Sequence, residues 1–258
     1  MDHTEILGDS IEQIAKEKSG IIKEKIPLFV YRQDSNILEV FQKKAITCRS
    51  EMKISKIPKN ININSRGTQF TLNNQDYMIP LFGSHQARNA ALAIDVVSRF
   101  DSKIKYDVVY NALKKVFWPG RMQKIGQRIF YDVSHNKKGM EETLQTLKKL
   151  YPGRDIHGLL CLKKGKELTS LKSLILKNFK TLITSGDQKG FLLKSNILAK
   201  QLTEINIYCN SASTIKDGSI MLKKLVKNNS SIGLIFGSHY IGEEVFNAFE
   251  ISFDNYYI

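Results

Sequence analysis

The sequence predicts an α/β chain whose second half is a mostly parallel, doubly wound sheet. Beyond Trp118-Pro119-Gly120, strand-like and helix-like segments alternate regularly, a rhythm that needs crossover connections between parallel strands. Apolar residues make up 42% and charged residues 25% of the 258 residues, an ordinary globular balance that excludes disordered and fibrous classes. No run approaches the roughly 18 consecutive apolar residues of a membrane span. The polar opening Met-Asp-His-Thr-Glu does not read as a signal peptide. No membrane partner is expected.

The first half mixes element types. A helix fits Ser10 to Lys18, a strand Ile26 to Tyr31 and a helix Ile37 to Ala45. Short strand-like runs follow near Lys53 to Ile57 and Ile61 to Asn64. Thr68 to Leu72 and Gln75 to Leu81 flank Asn73-Asn74, a dipeptide that tolerates positive φ and reads as a hairpin turn. Helices fit Ser84 to Phe100 and Tyr106 to Val116. Trp118-Pro119-Gly120 interrupts the pattern and is the expected boundary between two domains, 1–118 and 119–258.

The second half then reads strand Arg128 to Val133, helix Lys137 to Tyr151, strand Ile156 to Leu162, helix Leu168 to Phe179 and strand Thr181 to Thr184. It continues with helix Phe191 to Leu202, strand Ile205 to Cys209, helix Thr214 to Lys227, strand Ile232 to Phe236 and a helix from about Tyr240.

Lys plus Arg number 39 against 25 Asp plus Glu, for a net charge of +14. Attraction to polyanions is one reading. No arginine cluster or aromatic-interleaved basic stripe accompanies the charge, so it reads better as lysine spread over solvated faces, and nucleic acid is not the expected partner. Cys48, Cys161 and Cys209 show neither a disulfide framework nor a zinc spacing, which fits a reducing, cytoplasmic compartment.

Four segments carry the candidate chemistry. Ser10 can cap the first helix with Gln13 as reciprocal partner. Ile11, Ile14, Ala15 and Lys18 share one helical face, which places Lys18 inward. A buried ammonium needs a carboxylate, an anion or chemical modification, unless it snorkels at the helix end. In Gly83-Ser84-His85-Gln86-Ala87-Arg88-Asn89, free amides open a small-residue helix. Gln86 and Asn89 share a face able to read an adenine edge, or simply belong to a capped, close-packed helix. Gly120-Arg121 precedes Asp132-Val133-Ser134-His135-Asn136, where a carboxylate, an imidazole and an amide follow a parallel strand. The plain alternative there is an Asx-turn and helix cap. Gly237-Ser238-His239-Tyr240 follows the last strand as a weak anion cradle. No Gly-x-x-x-x-Gly-Lys-Ser/Thr loop occurs in the 258 residues.

Five stretches together resemble the folylpolyglutamate synthase/dihydrofolate synthase family of the Mur ligase superfamily: DHTEILGDSIEQIAKEKSGIIK at 2–23, GSHQARNAALA at 83–93, PGRMQ at 119–123, DVSHN at 132–136 and GSHYIGEEV at 237–245. The step from His3 to Lys18 matches the family's step from a metal-binding histidine to a carbamylated lysine. The resemblance implies that 1–118 is the C-terminal portion of the central ATPase domain and 119–258 the Rossmann-like C-terminal domain. It implies ATP and Mg²⁺ as cofactors and folate or dihydropteroate, L-glutamate and ATP as substrates. ATP would phosphorylate a carboxylate, and the glutamate amine would displace the phosphate. Lys18 and His3 would hold the metal, with Lys18 and His135 serving catalysis. Gln86 and Asn89 would face ATP, Arg121 its phosphates, Asp132 the nucleotide and His135 the phosphates or incoming glutamate.

The family's P-loop and a further acidic metal ligand precede the Asp-His-Thr motif at which this sequence opens. The chain therefore reads as a second half, inactive alone unless a partner polypeptide supplies the P-loop. Lys163-Lys164-Gly165-Lys166-Glu167 stands where the family has an Asp-Lys-Asp-like stretch. A non-catalytic nucleotide- or polyanion-binding remnant, or another Mur-type amide ligase, are the alternatives.

Overall fold

The computed structural model describes residues 10–166, 168–227 and 230–252. The chain divides into two compact units. One holds residues up to Asn62 with Thr68–Ile79 and Ser84–Lys115; the other holds Ile63–Gly67, Pro80–Gly83 and the chain from Val116.

In the first unit, helix α1 (Ile11–Lys18) starts with the expected capping box: Gln13 N donates to Ser10 Oγ and Ser10 N to Gln13 Oε1, both at 3.2 Å. Strands β1 (Leu28–Val30) and β2 (Met52–Ile54) pair in parallel around helix α2 (Ser35–Thr47). A second sheet runs in the order β3 (Lys59–Asn64), β4 (Gly67–Leu72), β5 (Gln75–Ile79). The β4–β5 pair is antiparallel and closes at Asn73 and Asn74, with φ of 53° and 61°. That is the type I′ geometry the dipeptide favours. Helices α3 (Ser84–Phe100) and α4 (Tyr106–Leu113) complete the unit.

The second unit is a six-stranded sheet in the order β10-β9-β8-β11-β7-β6: Asn210–Ser211, Phe179–Thr184, Asp155–Leu160, Ser231–Phe236, Ile129–Asp132 and Gln123–Lys124. All neighbours pair in parallel except the short β6, which lies antiparallel on β7. Both faces are buried, so the strands read as continuous apolar runs. Phe130, Ile156, Leu160 and Leu234 pack under helices α5 (Lys137–Leu150), α6 (Thr169–Asn178) and α7 (Ser195–Glu204). Tyr131, Leu159, Ile183 and Ile235 pack under α8 (Ile215–Leu225) and α9 (Gly242–Ala248).

The strand expected at Ile205 to Cys209 is absent. Asn206, with φ of 61°, ends α7: its amide donates to Thr203 O and that of Ile207 to Leu202 O, both at 2.9 Å. This two-bond helix stop consumes 205–207, so pairing begins only at Asn210. The helix expected from Phe191 starts at Ser195, because the Asp187 carboxylate takes the amides of Phe191 and Leu192, each at 2.8 Å. The edge strand β6 carries too short a pattern to read in sequence.

His157 on β8 is 5% exposed, and its Nδ1 has no hydrogen-bond partner. Burial pushes its pKa below the ordinary 6.5; Asp155 acts upward and Lys180 downward, both more weakly. A base with a lowered folded-state pKa takes up its proton more readily when unfolded. Its contribution to stability is thus intact above about pH 6.5 and lost as the pH falls toward the folded-state value. Urea unfolding from pH 7 to 5 is expected to show a steeper loss of stability in the native chain than in His157→Leu; equal slopes would contradict this assignment.

Candidate active site

Parallel sheets expose their functional groups just beyond the carboxyl ends of the strands. Phe236 lies in register with both Asp132 and Leu160. The loops leaving β7, β8 and β11 therefore emerge side by side.

Asp132 closes β7 and is 5% exposed. Its Oδ1 accepts from Ser134 N at 2.8 Å and Thr143 Oγ1 at 3.1 Å, while Oδ2 accepts from Met122 N at 2.8 Å. The carboxylate thus ties the loop after β7, helix α5 and the turn at 119–123 to one point. That turn is fastened twice more: Gly120 N donates to Gln123 Oε1 at 3.0 Å and Val133 N to Gly120 O at 2.9 Å. Gly120 and Met122 both adopt positive φ, 68° and 48°. Arg121, between them, is exposed. An exposed guanidinium on a turn fastened by hydrogen bonds suits an anionic ligand, since the backbone beneath it is already held in place.

His135 is half-buried, and its Nδ1 lies 3.0 Å from Val133 O. A carbonyl can only accept, so Nδ1 carries the proton and Nε2 is the acceptor of the neutral ring. Asn136 caps α5, its Oδ1 accepting from Gly139 N at 2.8 Å. The Asx-turn and cap raised as the plain alternative for this segment are both present.

The loop after β11 is anchored from below. The buried Tyr131 hydroxyl donates to Ser238 O at 2.8 Å. Burial, Cys161 and Asp132 all raise the Tyr131 pKa, so the phenol stays protonated and keeps donating. Ser238 Oγ accepts from Tyr240 N at 3.1 Å.

In the first unit, Gln86 is buried and Asn89 exposed on α3. Asn89 Nδ2 donates to Gln86 Oε1 at 3.2 Å, and Gln86 Nε2 lies 3.1 Å from His85 Nε2. The two amides share a face as expected.

The inward placement of Lys18 is corrected: the side chain is exposed. Ile11, expected beside it on the buried stripe, is 46% exposed, whereas Ala15, Ser19 and Ile22 are 3%, 5% and 7% exposed. The buried face is the 15/19/22 stripe that packs toward α2, rotated from the 11/14/15/18 stripe read in sequence. The short 3₁₀ turn Ser19–Ile21 carries the face past the helix end. Burial therefore gives no reason to modify Lys18. His3 lies outside the described residues.

Arg121, Asp132 and His135 thus meet on one sheet edge, and Gln86 and Asn89 on one helix. Sequence reading missed Gln123, Thr143 and Tyr131, which hold that edge in place. Thr143 was detectable as the hydroxyl set among Met140, Leu144 and Leu147 on a buried helix face.

No protein-family model matches the chain. Curated relatives do. It is 27% identical over 259 residues to the dihydrofolate synthase/folylpolyglutamate synthase of Bacillus subtilis, covering 95% of this chain and 59% of the relative. By sequence the chain is similar to folylpolyglutamate and dihydrofolate synthases. It is 31% identical over 166 residues to the folylpolyglutamate synthase of Lacticaseibacillus casei, covering 58% of this chain and 39% of that one. In fold it matches the Mycobacterium tuberculosis folylpolyglutamate synthase complexed with ADP and AMPPCP, with a TM-score of 0.88 at 23% identity over 98% of this chain and 62% of that one. The E. coli FolC complex with DHPP and ADP gives 0.80 at 16% identity over 97% of this chain and 59% of that one. The chain thus spans about three-fifths of the B. subtilis synthase, and its α/β architecture is that of the synthase structures.

Proposed function

We propose that the chain is the acyl-transfer and nucleotide-contacting portion of an ATP-dependent ligase that adds glutamate to a folate or dihydropteroate. Residues 1–118 would belong to the ATPase domain and 119–258 to the Rossmann-like domain. The observation that carries the reading is the carboxyl-edge cluster: an exposed Arg121 on a turn that Asp132 and Val133 fasten to the strand end from which His135 follows, in a chain similar to the synthases along nearly its whole length.

In the first step a substrate carboxylate oxygen attacks the γ-phosphorus, and ADP leaves. In the second the glutamate amine attacks the acyl carbon, inorganic phosphate leaves, and an amide forms. Arg121 would stabilise charge on the transferring phosphoryl oxygens. His135, with Nε2 as acceptor, would take up the proton that the glutamate amine loses as its nitrogen becomes the amide. Gln86 and Asn89 would face the adenine. Asp132 spends its carboxylate on the loops, so we assign it to positioning Arg121, in addition to the nucleotide contact the resemblance implies.

Mg²⁺ would accompany ATP. The described residues do not fit a complete site for it: Lys18 is exposed and an unmodified lysine has no oxygen ligand to offer, and no group of three His, Cys, Asp or Glu is placed to hold a metal. A carbamate on Lys18 and ligation by His3 rest on the resemblance alone. The P-loop would be supplied from elsewhere in the same or another polypeptide. The cytoplasmic setting is proposed from the cysteine usage alone; among the described residues no helix is long and apolar enough to cross a membrane.

Arg121→Ala, assayed with Mg-ATP, labelled glutamate and the P-loop-bearing portion present, is expected to slow glutamate addition roughly 100-fold. Thermal stability should be unchanged, since the side chain is exposed. An unchanged rate would contradict the role. Nucleic-acid binding with a steep salt slope and no ligation would instead favour the polyanion-binding reading.

A further inference from the structure

The first unit holds a cavity of about 640 Å³ that the ligase reading does not use. Its walls include Arg32, Lys56 and Lys59, and its floor includes Leu38, Ile54 and Ile57; no Asp or Glu lines it. Lys56 Nζ donates to Asn73 Oδ1 at 2.7 Å, so a neutral amide, not a carboxylate, is its partner. One oxygen of the Asp95 carboxylate, Oδ2, is engaged at the same strand end, accepting from Ser55 Oγ at 2.7 Å and Lys56 N at 3.0 Å. Among the described residues the side chains of Arg32 and Lys59 make no hydrogen bond or ion pair. Ile54 and Ile57 are 48% and 50% exposed, leaving apolar surface open beneath the cations.

Three cations line this concavity of ligand size, with Asp95 and Asp76 bonded behind the lining residues Ser55, Lys56 and Thr71 and not lining it themselves, so the surface presented to a ligand favours anions. The planar guanidinium of Arg32 suits a two-oxygen head such as a carboxylate or phosphate. The isoleucine and leucine floor suits an apolar body attached to that head. We propose that this cavity binds a small organic anion composed of a carboxylate or phosphate head and an apolar ring or chain. This inference stands on the first unit alone and survives or fails independently of glutamate ligation.

Isothermal titration of the 258-residue chain with 1-naphthyl phosphate, 1-naphthoate and inorganic phosphate tests it. One-to-one saturable binding is expected for at least one naphthyl compound. The naphthyl compound should bind about tenfold or more tighter than inorganic phosphate, the equivalent of roughly 1.4 kcal/mol from the floor. The two naphthyl arms identify the head group. Arg32→Gln combined with Lys59→Gln should weaken binding about tenfold or more, whereas Lys177→Gln combined with Lys200→Gln, which removes the same charge from exposed positions of the second unit, should not. All four side chains are exposed, so folding is preserved. Equal weakening by both double variants, or no saturable binding, would overturn the proposal. Equal affinity for inorganic phosphate would overturn its apolar part.

Discussion

Asp132→Ala is expected to destabilise the second unit by about 3–5 kcal/mol, because hydrogen bonds to a charged acceptor contribute roughly 1.5–3 kcal/mol each and losses within one network do not simply add. The carboxylate accepts three of them in a buried setting, from Met122 N, Ser134 N and Thr143 Oγ1. Alanine leaves those donors facing one another across a small void, and Met122 itself is 1% exposed, so water does not readily replace the lost acceptor. Asp132→Asn keeps the shape and at most one acceptor oxygen, and is expected to cost less, about 1–2 kcal/mol. Equilibrium urea unfolding measures both. If Asp132 positions Arg121, the Asn variant also slows glutamate addition while leaving the unfolding slope unchanged. Full stability in the Ala variant would show that the clamp is not what holds the turn.

Gly237→Ala is expected to cost about 3 kcal/mol or more. Gly237 has φ of 111°, a conformation that costs a residue with a side chain about 1–3 kcal/mol. In addition, a Cβ there would lie 2.3 Å from the carbonyl oxygen of Cys161 and 3.0 Å from Leu160 Cδ1. The carbonyl belongs to the backbone leaving β8, so it cannot swing aside as a side chain can. The β8 and β11 loops must separate, pulling Ser238 from the Tyr131 hydroxyl. Gly153→Ala is the matched control: φ is 72°, but nothing lies within 4 Å of the added Cβ. It carries a positive-φ cost without any collision, although 72° lies nearer the left-handed region than 111° does. Thermal melting that shows equal losses for the two variants would remove the collision from the account.

The contrast between Lys18 and Asp132 shows where sequence reading reaches and where it stops. The capping box at Ser10, the Asn73-Asn74 turn and the start of α3 at Ser84 are set by local backbone chemistry, and local chemistry is written in consecutive residues. The parallel sheet was legible because both of its faces are buried and its strands are accordingly apolar throughout. The side of α1 that is buried was not legible. Periodicity gave the 11/14/15/18 stripe, whereas the face that is buried is set by α2, which α1 packs against. Likewise Asp132 stood out as a candidate carboxylate, but its partner Met122 sits ten positions earlier on a turn where a methionine gives no sign of its positive φ. The strand at Ile205 to Cys209 failed for the opposite reason: its alternation was real, but Asn206 had already been taken to stop the preceding helix.

The central claim is that the edge built by Arg121, Asp132 and His135 serves glutamate ligation. The most direct test combines the chain with the P-loop-bearing portion, Mg-ATP, L-glutamate and either tetrahydrofolate or dihydropteroate, and follows product mass and ADP together. The account predicts a product heavier by one glutamyl residue, one ADP released per amide formed, and loss of both on Arg121→Ala. ADP release without any glutamylated product, or product formation untouched by Arg121→Ala, would contradict it.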